Sequence, residues 1–174
     1  MTPRFEPAAV TDAAAHALLT EYFEHRAQGF PAAQGSYSTT YPDPRDFVPP
    51  NGVFLLVLDE GGEGGGGGAD GGRGAAVGCG GIRRLDAPAG IVRFEVKHLW
   101  MQPRTQGRGF GRALLGELER RAREWGATEL VLDTNSSLRA ADGLYRSSGF
   151  AEVEPYNDNP NATTWFAKPL GRVP

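Results

Sequence analysis

The segment QGRGFGRALLGELERRAREWG, residues Gln106–Gly126, joins a cluster of glycines to a charged amphipathic run. Glycines at alternate positions at its start allow a tight turn and leave backbone N–H groups uncovered. The remainder predicts an amphipathic helix that runs to Trp125, with a buried stripe and exposed ion pairs four residues apart. The stripe consists of Leu114, Leu118, Ala122 and Trp125, and the pairs are Glu117/Arg121 and Glu119/Arg123. Gly126 follows where a left-handed C-cap residue is needed.

An anion-binding site is what the glycine turn predicts. N–H groups at a helix start have no acceptor within the helix, and the helix dipole favours negative charge there. Because Arg104, Arg108 and Arg112 surround the turn, a diphosphate is the expected ligand. A Walker-type loop is excluded, since Gly111 is followed by Arg112 and Ala113 instead of lysine and a hydroxyl residue. A dinucleotide fingerprint is excluded because the spacing is Gly-x-Gly-x-Gly and the loop lies past mid-chain.

Composition limits the class of protein. The 174 residues, 40% hydrophobic and 22% charged, predict one globular domain over residues 1–174. A formal net charge of -3 argues against binding nucleic acid through bulk positive charge, so no nucleic-acid partner is expected. No apolar run has the length of a signal peptide or a membrane span, so we expect a cytoplasmic protein without a membrane partner. Cys79 is the only cysteine and the three histidines lack metal-ligand spacing, so we expect no metal.

Helix and strand patterns elsewhere in the chain predict a mixed α/β domain. Two further helices are expected over Thr11–Ala27 and Ser136–Phe150. Strands are expected over Val53–Glu60, Ala75–Arg84, Gly90–Met101, Thr128–Thr134 and Thr163–Leu170. The first two strands are expected to be antiparallel neighbours. The glycine-rich segment between them, at about 60–74, has the composition of a flexible hairpin loop.

Alternation along the strand Gly90–Met101 assigns its side chains to two faces. One face carries Val92, Phe94, Val96, His98 and Trp100, and the other carries Arg93, Glu95, Lys97, Leu99 and Met101. Strict alternation therefore separates His98 from Glu95, and both reach one site only if a bulge intervenes.

Two motifs, taken together, resemble the GNAT N-acetyltransferase superfamily. QGRGFG resembles that family's acyl-CoA loop, Gln/Arg-x-x-Gly-x-Gly/Ala after the fourth strand, through Gln106, Gly109 and Gly111. AADGLYRSSGF resembles its later helix, Ala-x-x-Leu-Tyr-x-x-x-Gly-Phe, through Ala141, Leu144, Tyr145, Gly149 and Phe150. The two motifs cover about the C-terminal half of the chain and are more specific together than either is alone. One departure is Leu138, which stands where the family often has asparagine.

The resemblance implies a fold and a co-substrate. The fold is α/β, with a central and mostly antiparallel sheet, splayed fourth and fifth strands, and flanking helices. The co-substrate is acetyl-CoA, whose pantetheine arm enters the gap and pairs with the backbone of Leu99, Trp100 and Met101. Its phosphates bind the loop formed by Gln106, Gly107, Arg108, Gly109, Phe110, Gly111 and Arg112. The amine enters from the opposite side and attacks the thioester directly.

Acetyl transfer to an amine requires two proton transfers. An amine such as that of lysine has a pKa of about 10.4 and arrives protonated, while a thiolate with a thiol pKa of about 8.5 benefits from receiving a proton. The resemblance implies that Tyr145 is the acid, because the family's helix places that hydroxyl beside the sulfur. It implies Glu95 as the base, directly or through water. The base remains open between Glu95, His98 and water, and an ion pair with Lys97 or Arg93 would give Glu95 a purely structural role.

The acetyl acceptor is the least constrained part of the sequence. In this architecture its contacts come from the first helix, the loop that follows, and the last strands. Those segments offer aromatic walls and polar groups, Tyr37, Tyr41, Tyr156 and Asn157, which fit the amine of a small molecule or peptide. A homodimer is also compatible with the sequence. The alternative function is a non-catalytic acyl-CoA-binding or regulatory domain of the same fold.

Overall fold

One sheet organises the protein. The structure, a computed structural model, describes residues 3–60 and 74–171, and within them seven strands pair in the order β1-β2-β3-β4-β5-β7-β6. The strands are β1 (Arg4–Pro7), β2 (Gly52–Asp59), β3 (Ala75–Leu85), β4 (Arg93–Met101), β5 (Glu129–Thr134), β6 (Ala151–Val153) and β7 (Thr164–Pro169). The described helices are α1 (Ala13–Gln28), α2 (Phe110–Glu124) and α3 (Arg139–Ser147). The expected mixed α/β class is confirmed.

The sheet is antiparallel except where β4 meets β5. These two strands run parallel and pair only from Arg93–Glu129 to Glu95–Val131. Beyond those pairs, β4 continues to Met101 and β5 to Thr134 without pairing with each other. The two strands therefore diverge at this end of the sheet, as expected for the splayed fourth and fifth strands.

Hydrophobic layers cover the sheet on opposite faces. On one face, α2 and α3 pack against strand side chains that include Phe94, Val96 and Met101. On the other face, α1 packs against side chains that include Phe54, Cys79 and Trp100. The sheet is thus the middle of three layers, and its splay opens between the two helical layers.

A β-bulge in β4 breaks the strict alternation expected for this strand. The register with β3 shifts between Cys79 and Gly81, so that Gly80 opposes two residues, His98 and Leu99. His98 accommodates the extra residue with a φ of 55°, in the left-handed region. A Cβ at Gly80 would lie 3.0 Å from the Leu114 side chain, so a side chain there would crowd α2.

The bulge exchanges the two faces of β4 after Lys97. Leu99 and Met101 pack in the α2 layer, whereas the His98 ring faces α1 and lies 5.6 Å from the Phe23 ring. The expectation that Leu99 and Met101 share the face of Glu95 is therefore wrong. His98 lies on the face of Glu95 instead, because one added residue inverts every later side chain.

The helix after the glycine turn has the expected pattern. Leu114, Leu118 and Ala122 are buried, and Trp125 packs against the same layer. The ion pairs Glu117–Arg121 and Glu119–Arg123 form at 2.8 and 2.9 Å. Gly126 follows the helix with a φ of 79°, which is the left-handed conformation that glycine adopts without strain.

Three elements differ from the sequence expectation. β1 and β6 were not expected, and α3 begins at Arg139 instead of Ser136. Ser136 lies before the helix, and its N–H bonds to Thr163 Oγ1 at 2.8 Å. β2 and β3 are antiparallel neighbours, paired up to Asp59 and Ala75, but most of the loop expected at about 60–74 lies outside the described residues. No helix in the described part of the chain is long and apolar enough to cross a membrane.

Candidate active site

A large cavity lies at the splay between β4 and β5. Its volume is about 1070 Å³, at the upper limit of ordinary ligand pockets. Residues 105–107 and 109–112 line one part, which we call the loop end. Residues of α1 and of the segments 37–47 and 157–162 line another part, which we call the α1 end. Such a cavity has room for an extended ligand at the loop end and a second molecule at the α1 end.

The loop end presents unpaired backbone N–H groups. Gly107 and Gly109 have φ values of 78° and 82°, so both positions require the left-handed conformation. No side chain caps α2, and the first N–H of the helix to find a backbone acceptor is that of Ala113, which bonds to Gly109 O at 3.0 Å. The N–H groups of Phe110, Gly111 and Arg112 therefore have no acceptor within the helix. Together with the helix dipole, they give the arrangement that the predicted anion site requires.

The polar side chains of the loop make three different kinds of contact. The Gln106 amide donates to Met101 O at 3.0 Å and fixes the loop to the end of β4. Arg112 lines the cavity and donates to Ser147 Oγ at 2.7 Å. Arg108, in contrast, forms an ion pair with Asp59 at 2.6 Å, and its guanidinium lies over the Phe110 ring. Its side chain is thereby drawn away from the cavity, so any contact of Arg108 with a ligand would involve its backbone.

The end of β4 gives the cavity a free strand edge. Leu99, Trp100 and Met101 line it, and none of the described strands pairs with them on the β5 side. The Trp100 ring points to α1, where it lies 4.8 Å from the His25 ring, so its contribution to the splay is its backbone. An extended ligand with amide groups can therefore bond to this edge as a missing strand would.

Tyr145 of α3 reaches the cavity from the other helical layer. Its side chain is 7% exposed, packs against Phe150 and Phe166 at about 6 Å, and lines the cavity. Burial raises the pKa of its hydroxyl above the ordinary value, and Tyr22 adds to the rise. The hydroxyl therefore keeps its proton throughout the physiological pH range and can donate it.

Glu95 is enclosed in a polar network and is fully buried. Arg83 Nε donates to its Oε2 at 2.9 Å, the Tyr156 hydroxyl donates to Oε1 at 3.0 Å, and Lys97 Nζ lies 3.7 Å from Oε1. Arg83, Lys97 and Asn157 form the adjacent cavity wall. These neighbours stand between the carboxylate and the cavity, so a ligand does not contact Glu95 directly.

His98 lines the cavity beside this network as a neutral ring. Burial lowers its pKa to about 3, and the Lys97 and Arg83 charges act in the same direction. Its Nδ1 is buried and has no hydrogen-bond partner among the described residues. The ring therefore offers an unused polar atom next to Lys97, which pairs with Asp133 at 3.6 Å.

Three of the four residues expected to contact the acetyl acceptor line the α1 end. Tyr37 and Asn157 lie on its wall, and Tyr41 lies there with its ring stacked on His16 at 5.1 Å. Tyr156 does not join them, because its hydroxyl is directed at Glu95. The structure therefore gives Tyr156 a supporting position behind the wall.

Several cavity residues were not identified from the sequence. Tyr22 and Arg26 of α1, Asp46, Arg83 and Asp133 all line the α1 end. The spacing of Tyr22 and Arg26, one helical turn apart beside the buried Phe23, was the available signal. The described residues contain no group of three histidine, cysteine, aspartate or glutamate side chains arranged to hold a metal ion.

Comparison with known sequences agrees with the motif resemblance. The sequence profile of the Acetyltransferase (GNAT) family matches residues 16–150. An uncharacterized N-acetyltransferase from Schizosaccharomyces pombe is 32% identical over 116 residues, which cover 67% of this chain and 62% of that protein. An IAA acetyltransferase from Azospirillum brasilense is 37% identical over 100 residues, 56% of this chain and 63% of that protein. The chain thus spans about three fifths of the length of these curated relatives.

Solved structures share the fold over nearly the whole chain. A putative acyl-CoA N-acyltransferase from Klebsiella pneumoniae has a TM-score of 0.66 and 25% identity, with 97% of both chains covered. A GNAT family acetyltransferase from Staphylococcus aureus has a TM-score of 0.70 at 15% identity, with 96% of this chain and 99% of that chain covered. Another, from Elizabethkingia anophelis, with acetyl-CoA bound, has a TM-score of 0.58 at 15% identity, with 97% and 99% covered. The expected fold is confirmed.

Proposed function

Because the chain belongs to the GNAT acetyltransferase family, we propose that it transfers an acetyl group from acetyl-CoA to the amine of a small molecule or peptide. The observation that carries the proposal is the cavity at the β4–β5 splay, which reaches from the unpaired N–H groups of α2 to Tyr145. A diphosphate, an amide-bearing arm and a thioester would each meet matching groups along this cavity. The proposed reaction is direct attack by the amine on the thioester within a ternary complex.

In this proposal the loop end holds the diphosphate of acetyl-CoA. The N–H groups of Gly107 and of residues 109–112 would face its oxygens, whereas that of Arg108 bonds to Thr105 O at 3.4 Å. Arg112 adds a positive charge at the cavity wall. The backbone of Leu99, Trp100 and Met101 pairs with the pantetheine amides. Met101 O already accepts a bond from Gln106, so Leu99 and Trp100 have the freer backbone groups.

Tyr145 is proposed as the acid for the departing thiolate. As the amine nitrogen bonds to the acetyl carbon, the carbon–sulfur bond breaks and its electron pair stays on sulfur. The Tyr145 hydroxyl, still protonated because burial raises its pKa, donates its proton to that sulfur. The raised pKa makes the hydroxyl a weaker acid than an exposed tyrosine. Any rate increase that it gives must therefore come from its position beside the sulfur.

Glu95 is proposed as the base for the amine, acting through water. The partners that surround the carboxylate exclude direct contact with the amine. A water at the wall of Arg83, Lys97 and Asn157 would take the amine's proton and pass it into the network. His98 is the competing candidate because its Nδ1 is free, although a pKa of about 3 makes it a weak base.

The acetyl acceptor is proposed to bind at the α1 end, between Tyr37, Tyr41 and Asn157. These residues offer aromatic surface and one polar side chain opposite the splay, which suits a molecule with an apolar or cationic part. Tyr156 supports the site by holding Glu95. A cytoplasmic location and a homodimer stay predictions.

Turnover of acetyl-CoA tests the proposed function. The protein is incubated with acetyl-CoA and a library of primary amines, while free thiol is detected and acetylated amines are identified by mass spectrometry. Amine-dependent thiol release with a matching acetylated product supports an N-acetyltransferase. CoA binding without turnover of any amine would favour the non-catalytic acyl-CoA-binding alternative, with which the enclosed position of Glu95 is compatible.

A further inference from the structure

Arg26 is a cation at the α1 end that has no counter-ion among the residues that the structure describes. The other two cations there are paired, Arg83 with Glu95 and Asp46, and Lys97 with Glu95 and Asp133. Arg26 forms no ion pair with any carboxylate in the described part of the chain. Its Nε is buried, and no described residue accepts a hydrogen bond from it. Burying a guanidinium N–H without water or an acceptor costs free energy, unless a bound ligand accepts its hydrogen bond.

Aromatic rings hold this guanidinium at the cavity wall. Its carbon lies 5.6 Å from the centre of the Tyr22 ring, one helical turn earlier on α1. Burial raises the pKa of the Tyr37 and Tyr145 hydroxyls, and the Arg26 charge opposes the rise at both, with a side-chain hydrogen bond adding to this effect at Tyr37. The guanidinium therefore shares the cavity wall with a residue of the expected acceptor site and with the residue proposed to protonate the thiolate.

We propose that Arg26 binds a carboxylate of the acetyl acceptor, so that the substrates are amines that carry a carboxylate, as amino acids do. This inference rests on the proposed acetyl transfer. A guanidinium can hold a carboxylate through two parallel hydrogen bonds, and its free donor and missing counter-ion match that ligand. With the carboxylate on Arg26, a nearby amine is held close to the Tyr145 hydroxyl and hence to the thioester.

The proposed step leaves the carboxylate unchanged. The ammonium group loses one proton to water, the neutral nitrogen bonds to the acetyl carbon, and the carbon–sulfur bond breaks. The nitrogen then loses its second proton to water, the sulfur receives one from Tyr145, and the Tyr145 phenolate takes a proton back from water. The products are an N-acetylated amino acid and CoA with a free thiol, so no oxidant, reductant or further reactant is needed.

Matched substrates test the role of the carboxylate. Amino acids are compared with their decarboxylated amines, such as phenylalanine with 2-phenylethylamine and histidine with histamine, and kcat/KM is expressed per unprotonated amine. We expect the amino acid to be preferred by about 10- to 100-fold, the contribution of one charge-assisted pair. Arg26→Met should remove this preference by raising KM for the amino acids only, and Arg26→Lys should keep part of it.

Arg139→Met is the matched control, because Arg139 is an exposed arginine at the cavity wall on α3. This variant should keep the preference for the amino acid. The inference is overturned if the wild type acetylates amines without preferring those that carry a carboxylate. It is also overturned if Arg26→Met lowers kcat/KM equally for both members of each pair, which would indicate a role at the thiolate.

A binding measurement separates failure of this inference from failure of the proposed function. Amino acids are titrated into the protein–CoA complex by calorimetry, which requires no turnover. Binding that Arg26→Met abolishes supports the carboxylate site even if no amine is acetylated, in which case acetyl transfer alone has failed. Turnover of decarboxylated amines with no amino-acid binding overturns the carboxylate site alone.

Discussion

At the scale of single residues, the candidate site divides its polar groups into two sets. Tyr145 lines the cavity, and its raised pKa keeps the hydroxyl protonated, so the hydroxyl has a proton to donate. Glu95 is held behind the wall by charged and polar neighbours, so it acts on the cavity only through them. The two proposed proton transfers therefore differ in kind, one direct and one relayed, and mutation should distinguish them.

Replacement of Tyr145 by phenylalanine removes only the hydroxyl from a buried ring. If that hydroxyl is the acid, kcat should fall by about 10²–10⁴ while CoA affinity, measured by calorimetry, stays unchanged. The wild type should show no loss of activity below about pH 10 from ionisation of Tyr145, because burial raises its pKa above the ordinary value. Full activity of Tyr145→Phe at every pH would mean that water protonates the thiolate.

Replacement of Glu95 by glutamine tests the relayed base. The variant should lose most activity at low pH and recover as the pH approaches the amine's own pKa of about 10.4, where the amine needs no base. Glu129→Gln is the control, since it breaks the comparable Arg93 ion pair of 2.7 Å outside the cavity wall. A loss for Glu95→Gln that is the same at all pH values would assign Glu95 a structural role and leave His98 or water as the base.

Residues that belong to a local motif could be placed at the cavity from the sequence alone. Tyr145 and the loop glycines are examples, because each lies in a motif contained within one turn or one helix. Arg26 was missed, because its guanidinium acquires its proposed role only when α1 packs beside the splay, where no described carboxylate pairs with it. The same limit applied to Tyr156, whose partner Glu95 is 61 residues away in the chain.

At the scale of elements, one extra residue in β4 has the largest effect on the site. The bulge brings His98 to the face of Glu95 and turns Leu99 and Met101 towards α2. Period-two alternation predicts the strand, but it does not locate an inserted residue, because a bulge depends on the partner strand. Gly80, which opposes the bulge, is one of several glycines in β3 and gave no distinct signal.

Substitution of two glycines at opposite ends of α2 tests whether the N-terminus of this helix binds CoA. Gly109 and Gly126 have φ values of 82° and 79°, and a Cβ at either would meet no atom within 4 Å. Valine should therefore destabilise both positions similarly, by about 1–2 kcal/mol, because both force an L-residue into the left-handed region. Only Gly109→Val should lose CoA affinity, since Gly109 alone lines the cavity. Equal CoA affinity in the two variants, measured by calorimetry, would mean that the loop serves only as a turn and does not bind CoA.

At the scale of the whole molecule, the central strands and the splay could be predicted, but the edges of the sheet could not. β1 and β6 have four and three residues, too short to carry a hydrophobic period. They form because β2 and β7 offer free edges for pairing. The centre of the sheet was predictable, since its strands are long and apolar, and the divergence of β4 from β5 followed from the family resemblance.

Ligand binding across the whole cavity should stabilise the folded protein. CoA at a hundred times its Kd contributes about 2.7 kcal/mol, and about 2–4 °C per kcal/mol for a domain of this size gives a rise in Tm of about 5–10 °C. ATP and NAD carry phosphates for the loop end but no pantetheine arm for the free edge of β4, so equal concentrations should raise Tm much less. Gly109→Val should abolish the CoA shift while Gly126→Val keeps it. A rise in Tm with ATP and none with CoA would contradict the proposal that the splay binds the pantetheine arm. Binding at the loop end alone would then account for all the stabilisation.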